Sequence, residues 1–384
     1  MKFSCLQNNL QYALTCTTHL ANKNLNLPIL NNILLQAEET SIRLTTTNLE
    51  MAIGCTFRGK IEEKGETTLP SKLFLDYIHL LPKDRIDIVS NQDICSISCG
   101  KDQTKIKGTA ASEFPLIPSV TIEKTLRLPA ELFKNAIARV IFATASQESR
   151  PVLAGVFMKI SPESKTSQVQ LTLAATDSYR LAEVKFLFSP PDSFDDQNES
   201  TVIVPVKTMM EIYRILSLDY EDIDTDNLLT IHFSQNQIVF LYGSVELISR
   251  TIEGAYPDYQ QIIPHQFQTQ IVLDREDFQK AIKTASLFSK NNLYDVSISV
   301  EPEQNLLSMK AMDANKGENI TYCSAQIQGS SNTTITLNFR YLLDGLNAFS
   351  KEQVVLQMID ANNPCLLTEK ENQLYQYLIM PIRQ

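Results

Sequence analysis

The chain has 384 residues, 43% of them hydrophobic and 20% charged, with a formal net charge of −10. That length exceeds one ordinary core and implies two or three domains. The lack of an 18-residue apolar run excludes a membrane-spanning helix. Seven cysteines at irregular spacing fit reduced thiols better than a disulfide framework. The first residues, MKFSCLQNNLQYAL, have no basic stretch ahead of an apolar core, so we expect no secretory signal and a cytoplasmic protein.

In chain order, three short patterns each occur three times. The first is an amphipathic helix at 9–14 (NLQYAL), 132–137 (LFKNAI) and 277–282 (DFQKAI). The second is a strand ending in a polar turn at 44–48 (LTTTN), 173–177 (LAATD) and 309–313 (MKAMD). The third is a strand-to-helix junction at 68–72 (TLPSK), 203–207 (IVPVK) and 336–340 (TLNFR), where proline suits an early helical position. The junctions are 135 and 133 residues apart and the turns 129 and 136, a regularity that points to duplication. Between them run alternating segments such as 86–89 (IDIV), 229–233 (LTIHF) and 296–300 (VSISV). That alternation reads as antiparallel strands with one wet face. The expected class is α+β: three repeated domains over 1–124, 125–267 and 268–384, each with two helices packed on antiparallel sheets.

The expected helices, 7–23, 71–81, 130–140, 206–217, 274–288 and 339–350, carry ten Lys or Arg against seven Asp or Glu. The rest of the chain carries 24 against 37, so positive charge is segregated onto the helices. In the second helix of each repeat, Lys72, Asp76 and His79 fall at i, i+4 and i+7. Lys207, Glu211 and Arg214 do the same, as do Arg340, Asp344 and Asn347. Such spacing puts each trio on one helix face. One such face is ordinarily a solvated stripe of ion pairs. Three, each led by a base, point to a shared surface for a polyanion.

Little suggests catalysis. Neither G-x-x-x-x-G-K-[ST] nor G-x-G-x-x-G occurs. The four histidines lie outside any nucleophile motif. Cys95 and Cys99 sit four apart in an alternating strand with no partner pair, so buried thiols are expected there and no metal. Asp177 and Asp313 hold the same place in successive repeats, which marks them as turn formers rather than paired acids. No cofactor is expected.

The stretch 171–184 (LTLAATDSYRLAEV) resembles the A-T-D-G-H-R-L-A signature of the bacterial sliding-clamp family, the beta subunit of DNA polymerase III. Ser178-Tyr179 stand in place of Gly-His. The C-terminal YLIMPIR at 377–383 is similar to the family's Y-V-V-M-P-M-R, LPILNN at 27–32 to L-P-I-L-x-N, and YPDY at 256–259 to F-P-D-Y. These four marks span nearly the whole chain in the family's order and spacing.

The resemblance implies a non-catalytic clamp: a head-to-tail homodimer of six domains around duplex DNA. Twelve helices at roughly 9 Å spacing leave a hole of roughly 25 Å, wide enough for a duplex of about 20 Å. Implied partners are double-stranded DNA held without sequence preference, the polymerase alpha subunit, the clamp loader and other proteins with clamp-binding motifs; no membrane is among them.

The implied peptide groove comprises Leu153, Thr176, Leu181, Pro257, Ile262, Leu378, Met380, Pro381 and Ile382, with Arg180 and Tyr341 at its rim. Tyr179 and Gln261 also line it, where the family has His and Arg. Asn24, Lys72, Gln147, Lys207 and Arg340 would face DNA, and Pro151-Val152 replaces an aromatic pair that touches DNA in some relatives. Ile106 of one copy would meet Leu287 and Phe288 of the other. The alternative reading is a solitary three-domain adaptor, distinguished from the clamp by its mass in solution.

Overall fold

The computed structural model describes every residue except 22–25, 92, 147–149, 164–167, 192–198, 219–226, 291, 330–331, 371 and 384. Among the described residues six α-helices recur in pairs: α1 (Gln7–Thr18) and α2 (Ser71–Leu80), α3 (Ala130–Val140) and α4 (Val206–Leu216), α5 (Arg275–Ser286) and α6 (Phe339–Ala348). The first helix ends at Thr18, short of the expected residue 23, and its backbone turns through His19. In α1, Leu10, Ala13 and Leu14 are fully buried, matching the i, i+3, i+4 spacing that put them on one face. In α5 the same face is Phe278, Ala281, Ile282 and Ala285.

The junction prolines act differently from the expectation. Pro70 and Pro205 close the strands Gly65–Pro70 and Ser200–Pro205 instead of opening the helices. Both strands lie at sheet edges, where a missing N–H leaves no ladder bond unmade. In the third copy Asn338 stands at that place, and its side chain caps α6 by accepting from the Arg340 amide at 2.9 Å.

The chain divides into two compact units. One is built from Met1–Leu132 and Glu211–Thr251; the other contains Phe133–Ser189 and Ile252–Gln384. The first unit contains a five-stranded and an eight-stranded sheet, the second a twelve-stranded sheet. Two units arise from three copies because the sheets run through the copy boundaries. In the first unit Met51–Phe57 of copy one pairs with Val245–Arg250 of copy two, Ile53 opposite Leu247. In the second, Arg180–Phe188 of copy two pairs with Asn372–Ile379 of copy three, Ala182 opposite Tyr377. Each of these joints is a backbone ladder, so the middle copy shares a sheet with each neighbour.

All seven cysteines are free and buried. Burial pushes the Cys95 thiol up to about 12, which keeps it protonated and inert. Among the described residues no three His, Cys, Asp or Glu gather as a metal site.

Candidate binding groove

The turn at 176–180 positions the groove. The Thr176 hydroxyl donates to the Arg180 carbonyl at 2.6 Å and accepts from the Ser178 amide at 3.1 Å. Asp177 accepts from the Tyr179 and Arg180 amides at 2.9 and 3.0 Å. Short polar side chains thus close the turn on their own backbone. Ser178 adopts φ 77°, a left-handed conformation that glycine takes without cost. The turn leaves Tyr179 64% exposed.

Arg180 lines the groove with its side chain drawn inward. Its side chain is 11% exposed and donates to Asp177 at 3.0 Å, Asp344 at 2.6 Å and the Phe142 carbonyl at 2.6 Å. Its guanidinium also lies 4.4 Å over the Tyr341 ring. Two carboxylates and an aromatic face hold it inward, where it braces the turn against α6. Arg150 occupies the accessible position instead, reaching Ser178 at 3.2 Å. Sequence reasoning passed over Arg150, since it belongs to no quoted motif; its place two residues upstream of Val152 is the only signal.

A cavity of about 660 Å³ opens here, bringing Leu153, Tyr179, Arg180 and Tyr341 together with Phe142 and Arg150. Beside it, Leu181 and Leu378 face each other across paired strands and join Ala174, Tyr259 and Leu366 in an apolar cluster. Met380 packs on that cluster, and its amide donates to the Tyr179 carbonyl at 2.8 Å. The Tyr256 hydroxyl accepts from the Thr176 amide at 3.1 Å and anchors the loop that carries Pro257, Gln261 and Ile262, all exposed. Gln261 donates to Asp258 at 2.8 Å. Pro381 and Ile382 are half-buried, and the Ile382 amide donates to the Thr336 carbonyl at 2.8 Å.

The wall behind is tightly fitted. A Cβ added at Gly345 of α6 would lie 2.2 Å from two carbons of the Tyr377 ring, and Tyr377 is fully buried with its hydroxyl on the Tyr341 carbonyl at 2.9 Å. Gly345→Ala is expected to cost about 1–3 kcal/mol through overpacking, read as a lower midpoint in urea unfolding. An unchanged midpoint would show that the ring can shift.

Three models, for the N-terminal, central and C-terminal domains of the DNA polymerase III beta subunit, match residues 1–118, 127–258 and 260–383. The chain belongs to that family. It is 30% identical to the beta sliding clamp of Synechococcus elongatus over 100% of this chain and 99% of that one. It is also 30% identical to the beta sliding clamp of Staphylococcus epidermidis, covering 93% and 92%. Among solved structures it superposes on the beta subunit of Pseudomonas aeruginosa with a TM-score of 0.90, 25% identity and full coverage of both chains. The sliding clamp of Bacillus subtilis gives 0.90 at 26% identity, covering 100% and 99%. Members of the beta-subunit family are processivity factors without catalysis of their own.

The other residues expected to act in a sliding clamp fall in varied settings. Lys72, Lys207 and Arg340 are exposed on their helices, and Arg340 stacks 3.7 Å from the centre of the Tyr294 ring. Asn24 and Gln147 lie outside the described residues. The acids of the second and third trios are engaged in ion pairs: Asp344 pairs with Arg180, while Glu211 is 5% exposed and accepts from Arg214 at 2.8 Å, with His19 2.7 Å away. Arg214 also caps the end of α1, donating to the Cys16 carbonyl at 2.6 Å. These trios therefore tie one copy to the next, and their leading bases Lys207 and Arg340 stay exposed. Leu287 is 69% exposed and Phe288 half-buried at the end of α5. Ile106 is only 4% exposed, because its strand alternates with Ile106 facing inward; what that strand presents is its backbone edge. Among the described residues no helix is long and apolar enough to cross a membrane.

Proposed function

We propose that this chain closes head-to-tail with a second copy into a ring around duplex DNA. There it tethers the polymerase, the clamp loader and other replication and repair proteins through apolar segments docked between Tyr179, Leu181 and Met380.

The observation that carries the ring is an unfinished repeat. Within the chain, copy one is joined to copy two and copy two to copy three by strand pairs of one type. A third joint of that type would need the strand Gly317–Gln328 of copy three and the strand Asp102–Lys107 of copy one. Asp102–Lys107 lies at the edge of its sheet. Gly317–Gln328 bonds on its second side only through Ala325–Gln328, leaving Ile320 and Tyr322 exposed at 46% and 59%.

The helices are unfinished in the same way. Ile215 of α4 is fully buried, whereas Leu80, at its place in α2, is 82% exposed. His19 after α1 meets Glu211, whereas Leu287, at its place after α5, is exposed. A second copy supplies both missing halves, and a heterologous contact that closes makes a ring. Leu287 and Phe288 belong to this interface, and Ile106 contributes through the strand that bears it.

The exposed bases Lys72, Lys207 and Arg340 support contact with phosphates rather than base edges. Binding to short linear DNA should then be weak, independent of sequence and steeply reduced by salt, while retention on circles is topological. In gel filtration after loading, Lys72→Ala, Lys207→Ala and Arg340→Ala together should weaken linear binding and leave circular retention unchanged. Escape from intact circles as fast as from linear DNA would overturn the ring.

A further inference from the structure

A second depression lies on the sheet face that floors the groove. One row of cross-strand neighbours runs Gln328, Gln270, Gln357, Leu366, Leu378, Leu181, each paired with the next. Directly paired residues point to the same side of a sheet. The apolar half of this row is the floor of the groove, and its amide half floors a cavity of about 920 Å³. Segment 256–267 lies between them: Ile263 and Phe267 pack on the apolar cluster and also line the second cavity. Leu366 likewise belongs to both.

The chemistry of the second cavity differs. Its two buried carboxylates are already satisfied within the protein. Glu183 accepts from the Tyr259 hydroxyl at 2.7 Å, from Gln376 at 3.0 Å and from Lys185 at 2.7 Å. Glu369 accepts from the Ser350 hydroxyl at 3.1 Å and pairs with Arg139 at 3.5 Å. The side-chain amides of Gln270, Gln328 and Gln357 have no hydrogen-bond partner among the described residues, although each carries two donors and an acceptor. At the rim Lys370 is exposed, its ammonium donating to Gln353 at 3.3 Å. A row of free amides beside an ammonium suits an extended polar strand of peptide that carries a carboxylate. It does not suit an apolar anchor.

We propose that this cavity holds the polar, acidic flank of the same partner peptide whose apolar part occupies the groove. This rests on the proposed docking of partners in the groove, and continuity of the floor is what links the two.

The test uses the full-length chain and three probes: an acetylated Leu-Ala-Leu-Phe peptide, and that peptide with Ser-Asp-Gln-Asn added at either end. One extended probe should bind about tenfold more tightly than the short one by fluorescence anisotropy. Gln357→Ala with Lys370→Ala should remove that gain and leave the short peptide unaffected. Equal affinity of all three probes, or a gain that survives the double substitution, overturns the second cavity while the groove stands. No binding of the short peptide overturns the groove and this inference with it.

Discussion

Leu287→Ala combined with Phe288→Ala is expected to give folded monomers. Each side chain lost from a closed interface removes roughly 2 kcal/mol of apolar burial. A pair therefore raises the dissociation constant about a thousandfold at each interface. Leu80→Ala, on the face proposed to meet α5, should weaken the same contact by about one step of that size. Sedimentation velocity across a dilution series reads both variants, with circular dichroism to show that the fold survives. A double variant still dimeric at nanomolar concentration would mean that copies do not meet through α2 and α5. The untouched protein sedimenting as a monomer would favour the solitary adaptor.

Removal of residues 380–384 should abolish partner binding and spare both the fold and the dimer. The deletion takes away Met380 from the apolar cluster and, with it, the half-buried Pro381 and Ile382. It also breaks two backbone bonds, from Met380 to Tyr179 and from Ile382 to Thr336. The lost contact area is worth about 3 kcal/mol, so the affinity of an apolar peptide should fall more than a hundredfold. Leu181 and Leu378 stay buried beneath, which is why the cooperative unfolding transition should persist. Peptide binding unchanged by the truncation would mean that the groove lies elsewhere.

How much of this was legible in the sequence follows from the range of each interaction. The triplication could be read because its marks are local. Asp177 closes a turn with amides two and three residues away, so spacing alone exposes it. The joints between copies could not be read, since Ile53 and Leu247 pair across nearly two hundred residues and no local pattern encodes their register.

The same distinction explains Arg180. Its motif placed it near the groove, but Asp344, distant in sequence, turns it inward. On helical spacing alone Asp344 read as one member of a solvent-facing stripe. Ile106 shows a related limit: the resemblance located the strand, and the alternation of that strand decides which residues it shows to solvent.

The ladders at the copy boundaries also bear on modularity. Three similar copies suggest three parts that could be separated, exchanged or expressed alone. A cut near residue 124 or 267 would instead strip Met51–Phe57 or Arg180–Phe188 of a neighbour and leave a raw edge with buried residues such as Ile53 and Ala182 uncovered. Bare edges of that kind pair with whatever strand they meet. A single copy is therefore a poor fragment, prone to associate with itself. Once fused, the copies could diverge in sequence but could no longer be shuffled as beads on a string.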